Sequence, residues 1–402
     1  MEKKFRFAHL LGEGIGEHEL NKALEIVMGG ISTITFDRVV IKDFRLPGIN
    51  GLPGELNSEV AELIKSIGIG IKGPTRTLEG KGPKSVNVSL RQALDLYANV
   101  RPVKYLEGIT TRLKDPERLN TVVFRENTED VYMGIEAKPG SPEAKQLLEA
   151  VRTILGTQLP EHYATDLVGV GIKLMSKRAG ERIMDAAIQY AIKHNLKKIV
   201  IMHKGNIMKH TEGFFKEICI AYALEHYYDK VYVKGSESDY SEEERAERIF
   251  IDVITADDIF DKIQSNPERF QVIVTMNLNG DYVSDAAAGQ VGGAPLSASG
   301  NIGDTCAVFE AIGGTADDIA GKNIANPTAI IEAFAMMLDH AGFTTEAQAI
   351  RDAIADLVKA GIGTADMKFA NGASEKLSTT EFAERVSALA AEKLKTMPEM
   401  AA

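Results

Sequence analysis

Val272-Ile-Val-Thr-Met-Asn-Leu-Asn-Gly-Asp281 passes from a strand-like apolar run to a glycine and then to a carboxylate. Ile199-Val-Ile-Met-His-Lys204 and Thr121-Val-Val-Phe-Arg125 follow a similar plan, since each apolar run is followed by a cation. Short apolar runs of this kind predict strands. Because they alternate with helical patterns through most of the chain, the sequence predicts an α/β fold with a largely parallel sheet.

Polar side chains follow these runs, at the strand ends where open α/β sheets bind ligands. Lys204 and Asn206 lie in a predicted loop. Asp281 and Asp285 follow a predicted glycine turn and stand one helical turn apart, so both carboxylates can reach one hard cation. Asp257 is a third candidate ligand. Taken singly, each of these residues is more often an ordinary solvated group.

A second polar stretch, Ser85-Val-Asn-Val-Ser-Leu-Arg91, is followed ten residues later by Arg101. Asn87 and Arg91 are four apart, so a helix presents them on one face. With Arg125 the chain offers three guanidinium groups, each able to donate two parallel hydrogen bonds to one carboxylate. The alternative for this stretch alone is a solvated helix end with a capping serine. The combination predicts a site for a small polycarboxylate.

Together these segments resemble the isocitrate dehydrogenases, within the family of metal-dependent β-decarboxylating dehydrogenases that also contains the 3-isopropylmalate enzymes. The resemblance runs from Leu11-Gly-Glu-Gly-Ile-Gly16 through Lys72-Gly-Pro to near Phe382, in the family's order. It implies an isocitrate/isopropylmalate dehydrogenase-like fold with two α/β lobes and a dimerisation clasp, not a Rossmann domain. Glu17, which stands where the Rossmann fingerprint has its third glycine, agrees with that.

The resemblance also implies the domain boundaries. Residues 1–96 and 292–402 would form the larger, cofactor-side lobe, and residues 97–129 and 177–291 the smaller one. Residues 130–176 would form the clasp that intertwines two copies in a homodimer. On composition alone, that last segment could instead be an exposed flexible insertion.

The activity implied by the resemblance is oxidative decarboxylation of isocitrate to 2-oxoglutarate and CO₂, at an active site shared between two subunits. Asp281, Asp285 and the partner subunit's Asp257 would hold Mg²⁺ or Mn²⁺. Tyr132 would protonate C3 after CO₂ leaves, and Lys204 from the other subunit would assist proton movement at the hydroxyl. The substrate-binding residues would be Ser85, Asn87, Arg91, Arg101, Arg125 and Asn206.

By the same resemblance, the dinucleotide site maps to residues 309–327. The cofactor-binding residues would be Lys72, Thr77, Glu310, Gly314, Thr315, Ala316, Asp318, Ile319 and Asn326. Asp318 and Ile319 stand where members that use NADP have lysine and tyrosine, and Ala365 and Phe369 replace the tyrosine and arginine of the NADP pocket. A carboxylate accepts a hydrogen bond from a ribose hydroxyl but repels a phosphate. These positions predict NAD as the cofactor.

Composition bounds the function further. A chain of 402 residues with 44% hydrophobic and 26% charged residues is long enough for two lobes. The net charge of −11 argues against a nucleic-acid partner. No run approaches the roughly 18 apolar residues of a membrane span, and the charged start Met1-Glu-Lys-Lys does not resemble a signal peptide. A cytoplasmic enzyme without a membrane partner is expected.

Several alternatives stay open at this point. Ser85 and Asn87 could donate to the third carboxylate of isocitrate, which 3-isopropylmalate lacks, so isocitrate is preferred over homoisocitrate and 3-isopropylmalate. A non-catalytic regulatory subunit is a further alternative, although such subunits typically lose a catalytic tyrosine, lysine or aspartate that this chain has. By resemblance to bacterial relatives, a kinase acting on Ser85 would add negative charge that repels the substrate.

Overall fold

The computed structural model describes residues 3–48, 54–77, 85–164 and 166–398, so Met1 and Glu2 lie outside the described residues. The strands are β1 (Lys3–Leu10), β2 (Ile34–Ile41), β3 (Ile69–Lys72), β4 (Ala98–Lys104), β5 (Asn120–Glu126), β6 (Glu136–Ala137), β7 (Val170–Gly171), β8 (Lys198–His203), β9 (Val231–Val233), β10 (Ile249–Thr255), β11 (Val272–Thr275), β12 (Ala298–Ile302), β13 (Ala307–Ala311), β14 (Ile362–Thr364) and β15 (Glu375–Leu377). The three apolar runs predicted as strands lie in β5, β8 and β11.

The helices are α1 (Glu19–Gly30), α2 (Ser58–Ile67), α3 (Val86–Ala93), α4 (Pro142–Leu155), α5 (Lys177–Lys193), α6 (Phe214–His226), α7 (Glu242–Glu247), α8 (Asp258–Ser265), α9 (Asn277–Gln290), α10 (Thr328–His340), α11 (Thr344–Lys359) and α12 (Thr379–Leu394). Strands and helices alternate along the chain, which confirms the predicted α/β class. Among the described residues, no helix combines the length and the apolar character needed to cross a membrane.

Eleven of the described strands form one sheet, in the order β2-β1-β3-β13-β12-β4-β5-β11-β8-β10-β9. The four strands at one end are parallel to each other, and so are the five strands from β5 to β9 at the other end. Three antiparallel contacts, β13 with β12, β12 with β4 and β4 with β5, separate the two groups. The two parallel groups therefore run in opposite directions, which the sequence did not indicate.

Helix α5 shows how local sequence fixes an element. The Ser176 hydroxyl accepts a hydrogen bond from the Ala179 amide and caps the first turn. Its buried residues include Ile183, Ala187 and Ala191, which repeat every four positions and form one apolar face. That face packs on strands such as β11, in which all four residues are buried because the strand lies inside the sheet.

The buried apolar side chains fall into four groups. Two of them consist of residues between 5 and 109 and between 298 and 390. The other two consist of residues between 98 and 291. The division into a lobe of 1–96 and 292–402, a lobe of 97–129 and 177–291, and a clasp of 130–176 remains a proposal, with these groups as its support.

Polar side chains cross the central strands on one face of the sheet. Glu310 of β13 lies opposite Ser299 of β12, and Asn301 of β12 lies opposite Asn99 of β4. Asn99 in turn lies opposite Arg125 of β5. Successive side chains of a strand point to opposite faces, so the residues between these point to the other side. This polar row joins the two parallel groups and forms the floor of the candidate site.

Candidate active site

A cavity of about 420 Å³ lies against the polar row, within the range of roughly 300–1,000 Å³ typical of small-molecule sites. The predicted site residues that line it are Thr77, Ser85, Asn87, Arg91, Arg101, Arg125, Tyr132, Asp281, Asp285 and Glu310. A larger cavity, of about 620 Å³, is lined by residues such as Val100, Phe124 and Phe309, which alternate with the polar row and so face the other side of the sheet. It is lined by none of the predicted site residues.

The three arginines of the cavity are buried. Arg125 is 1% exposed, and its Nε donates to Asn277 Oδ1 at 2.9 Å. Arg101 donates from Nε to Asn99 at 2.6 Å and from Nη1 to the Ser284 hydroxyl at 2.8 Å. Each distance joins a guanidinium nitrogen to a side-chain oxygen, so the guanidinium planes are fixed before any ligand arrives.

Burial and mutual repulsion act on these guanidinium groups together. Burial is the larger cause, and the charges of Arg101 and Arg91 add to it, lowering the pKa of Arg125 to about 10. Burial and the charge of Arg91 lower the pKa of Arg101 as well. The groups remain cationic at neutral pH and repel one another. A ligand with several carboxylates would relieve that repulsion, so the site suits a polycarboxylate.

Tyr132 is held beside the carboxylate of Asp281. Its hydroxyl donates to Asp281 Oδ2 at 2.8 Å, and the Arg125 guanidinium lies 4.9 Å from the centre of its ring. Burial raises the pKa of Tyr132; the charge of Arg125 opposes this and Asp281 adds to it. The phenol therefore keeps its proton and can donate it, which suits a general acid.

Asp281 and Asp285 lie one turn apart on α9, as predicted, but the predicted glycine turn before them is wrong. Gly280 lies inside the first turns of α9, where a Cβ atom would come within 2.5 Å of Arg125 Cγ. The absence of a side chain at Gly280 lets Arg125 lie flat on the helix. The glycine thus allows Arg125 to pack closely against α9, and it does not change the direction of the chain.

The pKa values of the two aspartates are shifted in opposite directions. Burial acts to raise the pKa of Asp281, but the charges of Arg125 and Arg101 outweigh it and hold the pKa below its ordinary value. Burial raises the pKa of Asp285. The charge of Arg101 opposes this increase, and the charge of Asp281 adds to it. Asp281 is thus ionised and already bonded to Arg125 and Tyr132. Asp285 is 61% exposed at its side chain, so its oxygens are the more accessible of the two.

These carboxylates fit part of a metal site. Oxygen ligands are those that Mg²⁺ and Mn²⁺ prefer, and Asp281 and Asp285 supply them next to a polar cavity. Across the described residues, no group of three or more His, Cys, Asp or Glu is placed to hold a metal ion. The described part of this one chain therefore supplies no third ligand of these four residue types beside Asp281 and Asp285.

Lys204, Asn206 and Asp257 lie elsewhere. Lys204 follows the end of β8, and its Nζ is 2.5 Å from Asp257 Oδ1. Asp257 is 68% exposed at its side chain, and Asn206 is also exposed. None of the three lines the cavity of Asp281 and Tyr132. The structure of the single chain therefore brings Lys204 and Asp257 together, but not to the other predicted residues.

Ser85 and Asn87 offer polar groups at the cavity rim. Ser85 precedes the first residue of α3, yet its side chain caps no amide and lies 3.0 Å from the Thr77 hydroxyl. The capping-serine alternative therefore does not describe its side chain. Thr75 donates to Asn87 Oδ1 at 2.8 Å. That bond occupies the amide's acceptor and leaves its NH₂ group as a donor for a ligand.

Lys72 and Glu310 form a buried pair beside the cavity. Lys72 Nζ lies 2.5 Å from Glu310 Oε2, and Arg91 donates to Glu310 Oε1 at 3.1 Å. Burial acts to raise the pKa of Glu310, but the charges of Lys72 and Arg91 outweigh it and hold the pKa well below its usual range. Glu310 lines the cavity, whereas Lys72 does not. Lys72 therefore reaches the cavity only through Glu310.

Sequence reasoning missed the asparagines of the polar row. Asn301 donates to Glu310 Oε1 at 2.8 Å and accepts from Asn99 Nδ2 at 2.8 Å and from Asn127 at 3.0 Å. Asn99 then accepts from Arg101. One available signal was the alternation in Ala98-Asn-Val-Arg101, which places Asn99 and Arg101 on one face of a strand.

The predicted cofactor segment forms the turns between β13 and α10. Gly314, Thr315, Ala316, Asp318 and Ile319 succeed one another there, with Thr315 buried and Asp318 exposed. Gly14, in the glycine-rich stretch Leu11-Gly-Glu-Gly-Ile-Gly16, packs against this segment, since a Cβ at Gly14 would lie 2.2 Å from the Thr315 carbonyl oxygen. The glycine-rich stretch therefore supports this segment.

Asn326 is already engaged within the chain. Its Nδ2 donates to Asp366 Oδ2 at 3.0 Å, and its Oδ1 accepts from the Thr328 amide at the start of α10. It lines a cavity of about 170 Å³ together with Asp366 and Lys368. Because a side-chain amide has two N–H donors, the second one on Asn326 Nδ2 stays available for an adenine edge.

Comparisons with known proteins agree on the family. Residues 6–386 match the family model of isocitrate/isopropylmalate dehydrogenase. A protein of Streptococcus salivarius named isocitrate dehydrogenase (NADP) is 43% identical over 336 residues, 82% of this chain and 81% of the relative. A protein of Archaeoglobus fulgidus with the same name is 38% identical over 93% of this chain and 90% of the relative. The crystal structure of isocitrate dehydrogenase from Methylococcus capsulatus superposes with a TM-score of 0.76, at 32% identity, covering 96% of this chain and 99% of that one.

The prediction of NAD as the cofactor is wrong by this comparison, because both of these relatives are named for NADP. The prediction considered four aligned positions only. Lys368, which is not one of them, lines the same cavity as Asn326. Asp317, next to Asp318, is paired with Arg76 at 2.7 Å. The charge of this region is therefore not set by Asp318 alone.

Proposed function

The chain belongs to the isocitrate/isopropylmalate dehydrogenase family, and we propose that it catalyses the oxidative decarboxylation of isocitrate to 2-oxoglutarate and CO₂ with reduction of NADP. One observation carries the proposal. Three buried arginines, two aspartates on one helix face and a protonated tyrosine line one cavity. Isocitrate has three carboxylates and one hydroxyl, which match the cations and the proton donor of that cavity.

Arg91, Arg101 and Arg125 bind the carboxylates in this proposal, since their planes are fixed and their charges repel one another until an anion arrives. Ser85 and Asn87 donate to the carboxylate that 3-isopropylmalate replaces by an apolar group. An isopropyl group there would leave these half-buried donors without a partner, at a cost of at most about 1–3 kcal/mol for each. The donors therefore favour isocitrate.

A divalent cation bound by Asp281, Asp285 and the partner subunit's Asp257 would lower the pKa of the substrate hydroxyl and stabilise the negative charge left there. Tyr132 donates its proton to the carbon that has lost CO₂. Lys204 of a second copy, with Asn206 beside it, assists the transfer of the hydroxyl proton. The carbon that bears the hydroxyl would transfer a hydride to NADP, and one carboxylate would leave as CO₂. One CO₂ is thus released for each NADP reduced, as in the tricarboxylic acid cycle.

The active site is shared by two copies of the chain in this proposal. Lys204 and Asp257 lie outside the cavity of their own chain. The segment 130–176 exposes apolar side chains that a monomer would leave in water, with Ile154 78%, Leu155 70% and Leu167 80% exposed. A homodimer whose clasp is this segment would cover such groups and bring Lys204 to a neighbouring cavity.

NADP is the proposed cofactor because relatives named for it are 38% and 43% identical. Thr77, Glu310 and the segment from Gly314 to Ile319 would contact it from the cavity side, with Lys72 behind Glu310. Lys368 is the cation we assign to the 2′-phosphate, since it lines the cavity of Asn326. A cytoplasmic location and a kinase acting on Ser85 remain proposals as well.

The experiment that tests substrate choice compares kcat/KM for isocitrate, homoisocitrate and 3-isopropylmalate with Mn²⁺ and NADP. We expect isocitrate to exceed 3-isopropylmalate by roughly 10²-fold or more, because an isopropyl group would leave the half-buried donors of Ser85 and Asn87 without a partner. Equal turnover of 3-isopropylmalate would contradict the roles of Ser85 and Asn87. Absence of any turnover, together with activation of a second polypeptide, would instead support a regulatory subunit.

A further inference from the structure

Two segments with proposed chemical roles are linked by one partly buried cation. Lys173 Nζ lies 2.8 Å from Asp130 Oδ1 and 2.9 Å from Glu212 Oε1. Both carboxylates are inaccessible to solvent, and Lys173 is 15% exposed at its side chain. Burial acts to lower the pKa of Lys173, but hydrogen bonds and charges from Asp130 and Glu212 outweigh it and raise the pKa. Lys173 is therefore charged and bridges two anions.

Asp130 fixes the position of Tyr132 relative to α9. It begins the short helical turn that contains Tyr132, and its side chain accepts from the Leu278 amide at 2.9 Å. Leu278 lies in the first turn of α9, the helix that carries Asp281. The backbone of Asp130 has φ of +69°, a region that residues with a side chain rarely adopt. The surrounding contacts must hold it there.

Glu212 fixes the loop of Lys204. Its Oε2 accepts from the Lys204 backbone amide at 2.5 Å and from Asn279 Nδ2 at 3.0 Å. Asn279 belongs to α9 as well. The two carboxylates that Lys173 bridges therefore each hold one chemical segment, and both also hold the start of the same helix.

We propose that Lys173 is a positioning residue that keeps the Tyr132 segment and the Lys204 loop in one fixed arrangement. The inference rests on the proposed function, which assigns proton transfer to both residues. In a homodimer where Lys204 acts in the neighbouring site, Lys173 links the proton donor of one site to the lysine that serves the other. None of the contacts described above for Arg91 and Arg101 is made with Lys173, Asp130 or Glu212, so KM for isocitrate should change less than kcat.

The test compares Lys173→Met, which removes the charge, with Lys173→Arg, which keeps it. Lys177→Met is the matched control, because Lys177 is 72% exposed and forms an ion pair with Glu181 one turn along α5. We expect Lys173→Met to lower kcat by roughly tenfold or more, since small displacements of reacting groups are costly, with KM for isocitrate within about threefold of the unaltered protein. Lys173→Arg should recover most of kcat, and Lys177→Met should change neither constant.

Lys173→Met leaves two buried carboxylates without their cation, which can prevent folding. The double variant Lys173→Met/Glu212→Gln removes one of those charges and should show the same loss of kcat. Hydrogen exchange of the Lys204 and Leu278 amides gives a readout that needs no activity, and both should exchange faster in either variant. If the unaltered protein does not turn over isocitrate, the proposed function fails. Faster exchange at both amides would still support the role of Lys173 in holding the Tyr132 segment and the Lys204 loop together. A folded variant with unchanged kcat, or with neither amide exchanging faster, would overturn the role of Lys173.

Discussion

The Tyr132 hydroxyl donates a 2.8 Å hydrogen bond to Asp281, so the proposed proton donor and a proposed metal ligand are held in direct contact. Arg125 contacts both partners, through an ion pair with Asp281 and through the face of the Tyr132 ring. This arrangement keeps the phenol protonated and the carboxylate ionised. In the proposed reaction, Tyr132 would protonate the carbon next to the one whose hydroxyl the cation binds.

Tyr132→Phe should lower kcat by roughly 10²- to 10⁴-fold, the range typical of losing a general acid, with little change in KM for isocitrate. The phenylalanine keeps the ring against Arg125 and removes only the proton donor. Tyr282→Phe on α9, next to Asp281, is the control, because Tyr282 is 57% exposed. Steady-state rates of both variants check this, and a Tyr132→Phe enzyme with normal kcat would assign the proton to another group.

Tyr132→Phe and Lys204→Met should complement each other if one active site uses both chains. Each variant alone should be inactive as a homodimer. A mixed dimer, isolated with two different affinity tags, has one site with both native groups and should recover about half the activity of the unaltered dimer. A mixed dimer as inactive as its parents would place Tyr132 and Lys204 in the same chain's site.

Glu310→Gln should destabilise the protein by about 3–5 kcal/mol at neutral pH, because it leaves Lys72 and Arg91 buried beside a neutral side chain. The folded-state pKa of Glu310 lies below its ordinary value of 4.5, so its stabilisation is present above that pH. It is lost as the pH falls below that value, toward the folded-state pKa. Unfolding free energies measured by urea at several pH values should therefore differ most near neutrality and converge in acid. A difference that stays constant into acid would argue against an ionised Glu310.

Ser85→Asp should raise KM for isocitrate by roughly 100-fold or more, because a fixed negative charge at the rim opposes a carboxylate by several kcal/mol. Thermal unfolding should change little, since the Ser85 hydroxyl caps no helix amide. Ser66→Asp, at an exposed serine of α2, is the control. A normal KM in Ser85→Asp would remove the reason for regulation by phosphorylation at this position.

Local sequence patterns predicted the strands and helix faces that depend on residues close together in the chain. The apolar runs before Arg125, Lys204 and Met276 gave the strands, and the spacing of Asn87 and Arg91 gave the face of α3. The glycine at 280 could not be interpreted in this way. A glycine before two aspartates fits a turn as well as a helix that packs closely against Arg125. Only the packing in the folded chain distinguishes the two.

The parts that could not be predicted depend on distant residues. Asn99 and Asn301 are 202 residues apart, and their contact follows from the antiparallel register at the centre of the sheet. The bridge from Lys173 to Asp130 and Glu212 likewise depends on three segments that meet only in the folded chain. The cofactor prediction depended on four aligned positions, which did not include Lys368, the residue that we propose for the 2′-phosphate.

The most direct measurement is product analysis of the purified protein incubated with isocitrate, Mn²⁺ and NADP. The proposal predicts NADPH and 2-oxoglutarate in equal amounts, no reaction once the metal is chelated, and a higher kcat/KM with NADP than with NAD. A preference for NAD would contradict the assigned nucleotide and leave the chemistry intact. Isocitrate left unconsumed with either nucleotide, or NADPH formed without 2-oxoglutarate, would contradict the central claim.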